Sequence, residues 1–98
     1  MLYVISYDIQ SDKLRSKVAK ELENYGRRVQ YSVFECRLPK KKFQELYGKL
    51  VKYMMEVEEG DDSNILIYRL CQTCEEKIGT IGVEPENRQF EGETVIVL

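Results

Sequence analysis

An α+β two-layer sandwich, with two helices covering one face of a sheet, is the fold class that the sequence predicts. Three observations lead to it. The chain opens on an uncharged, β-branched and aromatic run, Leu2 to Tyr7, that reads as a buried strand. Two later stretches place apolar residues three and four apart, as amphipathic helices do. Further extended apolar segments follow each helix, so strands and helices intermix around one core. At 98 residues the chain is long enough for one core and too short for two, so residues 1–98 are expected to form a single domain.

The first strand stops at Tyr7-Asp8, where Asp8-Ile9-Gln10-Ser11-Asp12 turns toward a helix. Ser11 or Asp12 can cap that helix, whose stripe is Leu14, Val18, Leu22 and Tyr25, and Gly26 is expected to end it in the left-handed conformation. Residues 28–38 are strand-like, with Val29, Tyr31 and Val33 on one parity and Ser32, Phe34 and Cys36 on the other. Pro39 marks the start of a second helix carrying Phe43, Leu46, Tyr47, Leu50 and Tyr53-Met54, which should run to about Met55. Glu56 to Asn64 is acid-rich and almost free of apolar residues, a solvated loop. Asn64 to Cys71 is another strand. The pattern between Glu75 and Glu93 is weak, with Ile78, Ile81 and Val83 suggesting a short edge strand. Thr94 to Leu98 is strand-like and so apolar that it should pair with something, a second subunit being one candidate. The sheet face away from the helices needs a partner or must be polar.

No stretch approaches a membrane span, and the start of the chain lacks a signal-peptide layout, so a cytoplasmic protein without membrane contact is expected. Cys36, Cys71 and Cys74 are an odd number of cysteines, which argues for reduced thiols. The net charge of -2 hides an asymmetry: residues 1–55 hold 12 basic and 6 acidic side chains, residues 56–98 hold 3 and 11. The first half therefore has the cations that phosphate binding requires. There is no histidine. That excludes Ser-His and Cys-His nucleophile pairs and His-containing zinc sites, and leaves hydrolysis to carboxylates and a hard metal ion.

An acid at a strand's end can hold a metal, and it can equally satisfy the amides of the following turn; position alone leaves Asp8 open between the two. Arg15, Lys17, Arg27 and Arg28 lie on the first helix's polar face and at the entry to the next strand. A solvated helix face is the ordinary reading, but their excess over local acids favours phosphate contact. Lys40-Lys41-Lys42 oppose the dipole at a helix N-terminus, so another reason for them is needed, and anion binding supplies one. Cys71-x-x-Cys74 suggests zinc or redox chemistry. One chain cannot complete a tetrahedral site with it, and the pair is not expected to open a helix after an early strand, so structural thiols are the favoured reading.

The strings MLYVISYDI, LRSKVAKELENYGRRVQYSVFEC at 14–36 and YRLC at 68–71 with Cys74 after it closely resemble the Cas2 family of CRISPR-associated proteins. The resemblance spans residues 1 to about 74, and RVQYSVFEC is its most specific part. It implies a ferredoxin-like βαββαβ sandwich with an additional C-terminal strand, about 94–98, that joins the sheet of the other subunit of a two-fold homodimer. Two strands, separated by a break near Gln30 to Ser32, are then required where the residues show one. It further implies that Asp8 is the metal-binding and catalytic residue, holding Mg²⁺ or another divalent cation such as Mn²⁺ against its counterpart across the dimer axis. Ser32, inside the specific string, becomes a phosphate-contact candidate. The family's described roles imply two functions: a metal-dependent endonuclease acting on single-stranded RNA or double-stranded DNA, and a purely structural adaptor that bridges dimers of the Cas1 integrase during spacer acquisition.

Overall fold

The computed structural model describes residues 1–85 and 93–95. Its elements run β1 (Leu2–Asp8), α1 (Asp12–Glu23), β2 (Arg27–Gln30), β3 (Val33–Arg37), α2 (Lys40–Met54), β4 (Asn64–Leu70), α3 (Gln72–Glu75), β5 (Gly79–Ile81) and β6 (Glu93–Val95). The first four strands form an antiparallel sheet in the order β2-β3-β1-β4, with β1 central. This βαββαβ arrangement is the ferredoxin-like fold that the resemblance implied. Among the described residues no helix is long and apolar enough to cross a membrane.

Alternation along the strands divides the sheet into two faces. Tyr3, Ile5 and Tyr7 of β1, with Phe34 and Cys36 of β3, face α1 and α2, where Leu14, Val18, Leu22, Phe43, Leu46 and Leu50 complete the core. Tyr3 and Phe43 stack nearly parallel with ring centroids 3.9 Å apart. Burial of these side chains at roughly 25 cal/mol per Å² of apolar surface is what holds the helices on the sheet. The opposite face carries Leu2, Val4, Ser6 and Asp8, beside Val33, Glu35 and Arg37 of β3 and Leu66, Tyr68 and Leu70 of β4. Leu2 and Glu35 are buried there, but Leu66 and Tyr68 remain 50% and 55% exposed. Helices thus cover one face, as expected, and the other is partly apolar and open.

Several boundaries differ from the sequence reading. The strand-like stretch 28–38 is two strands joined at Tyr31-Ser32, with a bulge between Arg28 and Gln30. Pro39 is the N-cap of α2, one residue ahead of the helix proper. Gly26 is not left-handed: the positive-φ glycines among the described residues are Gly60 and Gly82. Helix α1 has already ended at Asn24 in ordinary right-handed geometry. Gly26 is demanded instead by packing, since a Cβ there would collide with Glu35 O and Cys36 Sγ and sit 2.8 Å from Cys36 Cα. Helix α3 is an element that periodicity missed, because four residues show no period. The C-terminal strand is observed at Glu93–Val95, where it pairs in parallel with β5 of the same chain. The remainder of the expected strand, residues 96–98, lies outside the described residues.

Candidate nucleic-acid and metal site

Asp8 closes β1 opposite Asn64 of β4, and its side chain is exposed. It shares a face with Val4 and Ser6, so it projects from the open side of the sheet, away from the helices. The β2–β3 turn reaches the same end, where the Tyr7 N–H donates to Ser32 O at 3.0 Å. Beyond Asp8 the chain turns under tight local control. Ser11 caps α1 through its hydroxyl, which accepts from the Leu14 amide at 3.2 Å. The turn amides are therefore served by Ser11 and by Ser63, whose Oγ accepts from the Gln10 amide at 2.9 Å. Among the described residues Asp8 makes no hydrogen bond to the amides of this turn. This weakens the reading in which Asp8 merely serves the turn.

A divalent cation of the magnesium type prefers carboxylate and water oxygens. Asp8 supplies a donor of that type on a solvent-facing strand end. One chain brings one such carboxylate from β1, and among the described residues no group of three His, Cys, Asp or Glu side chains is placed to hold a metal. A shared ion between two copies fits this donor set. Packing the open face of one sheet on that of a second, about a two-fold axis passing near the Asp8 end, would set the two Asp8 side chains against each other.

The basic candidates are spread along the sheet: Arg15 at the turn after Asp8, Arg27 and Arg28 level with Val4 and Ile5 partway along it, and Lys40 to Lys42 at the Met1 end. Arg15 is near Asp8: its Nη1 donates to Ile9 O at 2.8 Å, and its other nitrogen pairs with Asp12, the main cause that raises its pKa above the ordinary value. Arg15 thus braces the turn after Asp8. Arg28 lies over the Phe34 ring, its Cζ 5.3 Å from the centroid, with Arg27 exposed beside it. Lys17 is engaged by Glu56 at 3.3 Å. Lys40, Lys41 and Lys42 open α2 at the Met1 end, where the Leu38 N–H donates to Met1 O at 3.1 Å. That is about 20 Å from Asp8, six residue steps of about 3.3 Å along β1. Lys42 pairs with Glu45 at 3.7 Å, while Lys40, Lys41 and Arg27 make no ion pair among the described residues.

Two features of the Asp8 end escaped the sequence reading. Tyr31 stands 75% exposed in the β2–β3 turn and interacts with Arg15. The acidic loop, expected to be merely solvated, also returns to this end: Asp62 accepts from Gln10 Nε2, and Asp61 accepts from the Ser63 amide at 2.8 Å. The Gln10–Asp62 contact joins residues 52 apart in the chain, beyond any local pattern, whereas the Asp61–Ser63 contact is a local turn.

Comparison with known proteins matches the family "CRISPR associated protein Cas2" over residues 1–78. A Chloroflexus aurantiacus protein named CRISPR-associated endoribonuclease Cas2 1 is 49% identical over 85 residues, covering 87% of this chain and 88% of that protein. Among solved structures, Streptococcus pyogenes Cas2 superposes with a TM-score of 0.61 at 30% identity, covering 72% of this chain and 87% of that one. A chain in a partial Cas6-RT-Cas1–Cas2 complex gives 0.72 at 31% identity, covering 89% and 97%. With the family match over residues 1–78 and a relative 49% identical over 87% of this sequence, the chain belongs to the Cas2 family of CRISPR-associated proteins.

Proposed function

We propose that this protein acts in CRISPR spacer acquisition as a homodimer that binds duplex DNA and bridges Cas1 integrase dimers, and that its paired Asp8 side chains support metal-dependent phosphodiester cleavage of RNA or duplex DNA. The observation that carries the reading is the placement of Asp8: an exposed carboxylate at the end of the central strand, on the sheet face opposite α1 and α2. The partnership is supported by the similarity to a chain of a Cas1–Cas2 complex, and cleavage by the endoribonuclease name of the Chloroflexus relative.

A bound Mg²⁺ or Mn²⁺ would supply Lewis-acid charge at a phosphate oxygen and lower the pKa of water. The chain's own residues do the rest. Two Asp8 carboxylates brought together repel, which favours cation binding between them. Arg15 fixes the turn behind Asp8 through Ile9 O and Asp12, so the carboxylate is presented from a braced backbone. Arg27 and Arg28 on β2 offer cations to the phosphates of a bound strand. The second reading, an adaptor without catalysis, draws on a specific observation: among the described residues a single chain places no group of three His, Cys, Asp or Glu side chains to hold a metal, so metal chemistry at Asp8 depends on how two copies meet.

Asp8→Asn separates the two. The change is nearly isosteric and the side chain is exposed, so the dimer should persist. Cleavage of RNA and duplex DNA in Mg²⁺ should be lost, whereas integration assayed with Cas1 should survive. Undiminished cleavage would remove Asp8 from the chemistry. Loss of integration with the dimer intact would show that the architectural role itself needs this carboxylate.

A further inference from the structure

The Cys71-x-x-Cys74 pair takes no part in the proposed site, and the structure changes how it reads. Cys71 is the N-cap residue of α3, in extended geometry at φ -71° and ψ 170°, and Cys74 is the third residue of that helical turn. Residues three apart on a turn are side-chain neighbours. The pair therefore opens a helical turn directly after a strand, the late strand β4 and not an early one. Both thiols are exposed, whereas Cys36 is buried in the core.

We propose that Cys71 and Cys74 form a redox site, a vicinal-turn dithiol that closes reversibly to an intrachain disulfide by exchange with small-molecule disulfides. Three observations support it. The two sulfurs interact: the Cys74 amide and thiol lower the pKa of Cys71, and Cys71 in turn raises that of Cys74. This asymmetry makes Cys71 the attacking thiolate and Cys74 the resolving thiol. The turn is also held in place from outside, since the adjoining Glu75 is buried and pairs with Arg37 of β3, the Arg37 Nη1 donating to Glu75 Oε2 at 3.1 Å. The thiols are thus kept together in the reduced chain, which lowers the entropy cost of joining them. Finally, Cys36 does not compete: burial pushes its thiol up to about 12, so it stays protonated and unreactive.

The exchange balances as two thiol–disulfide steps. The Cys71 thiolate attacks one sulfur of glutathione disulfide, expelling one glutathione thiolate and leaving a mixed disulfide. Cys74 then gives its proton to solvent, attacks the Cys71 sulfur and expels the second glutathione. Two protein thiols are oxidised and one disulfide is reduced to two thiols.

The test uses the full chain, reduced and freed of metal by a chelator, then equilibrated with glutathione disulfide and alkylated for mass analysis. The expected product loses two of its three alkylatable thiols, retains no glutathione, and yields a peptide in which Cys71 and Cys74 are joined. Cys74→Ser should stop at a stable glutathione adduct on Cys71, and Cys71→Ser should react markedly more slowly at neutral pH. The proposal is overturned if both thiols remain alkylatable at equilibrium, or if the main product is a disulfide between two chains. A stable glutathione adduct on the unaltered protein would overturn it as well, by showing that Cys74 cannot reach.

Discussion

A methyl group has no room at Gly26, and this single position ties the end of α1 to the middle of β3. The Cβ of any other residue would meet the backbone of Glu35 and Cys36, which are themselves fixed by pairing with Val4 and Tyr3 of the central strand. Neither neighbour can give without disturbing the ladder. Gly26→Ala should therefore cost stability in the manner of an overpacked core, roughly 1–3 kcal/mol. In denaturant unfolding the midpoint should fall with the slope unchanged; an unaltered midpoint would show that β3 yields freely. The sequence marks Gly26 as special but suggests the wrong reason, a left-handed helix end. Close approach of two backbones is a tertiary fact, and no local pattern carries it. Asp8 is different: its location at a strand end is legible from the apolar run before it, but its freedom from turn capping is not, because that depends on Ser11 and on Ser63 from β4's approach.

At the scale of elements, periodicity locates β1, α1, α2 and β4 well, since each repeats its pattern over seven residues or more. It fails where an element is short or doubled. The β2–β3 hairpin keeps apolar residues on both parities through its turn, so alternation alone reads it as one strand, and only the resemblance divides it. Helix α3 is a single turn and leaves no period to detect. Strand β4 raises a sharper question, because it edges the four-stranded sheet and shows Leu66 and Tyr68 to solvent on the face that carries Asp8. If that face joins two copies, charge placed there should separate them. Leu66→Glu with Tyr68→Glu should convert a dimer to a monomer in sedimentation analysis while leaving the helix-side core, and hence the circular dichroism spectrum, intact. A persisting dimer would place the subunit contact on another surface and leave the two Asp8 side chains apart.

Across the whole molecule, the charge asymmetry of the sequence becomes a division of labour among cations. Of the seven basic residues that the sequence nominates beside Ser32, Arg15, Lys17 and Lys42 are already engaged by Asp12, Glu56 and Glu45. Arg27, Lys40 and Lys41 make no ion pair among the described residues, and Arg28 rests on an aromatic ring. A phosphate contact formed by an engaged cation must first compete with its carboxylate, so the unengaged ones should contribute more to affinity. They also sit apart: the β2 arginines on one edge of the sheet, Lys40 and Lys41 at the Met1 end. Arg28 stands opposite Phe34 and so level with Ile5, about 10 Å along the strands from the Met1 end, on the order of three base pairs of duplex at 3.4 Å each. A duplex laid along this surface would meet both groups. Each neutralised phosphate contributes about 0.9 to the slope of log affinity against log salt. Replacing Arg27 and Arg28 by Gln should thus flatten that slope by about 2 in fluorescence anisotropy, and replacing Lys40 and Lys41 by Gln should do the same. Lys17→Gln should leave the slope nearly unchanged, since Glu56 already occupies that amine. If the slope instead responds to Lys17 and ignores both unengaged pairs, the duplex does not lie along this surface, and the cations of β2 and α2 are simply solvated.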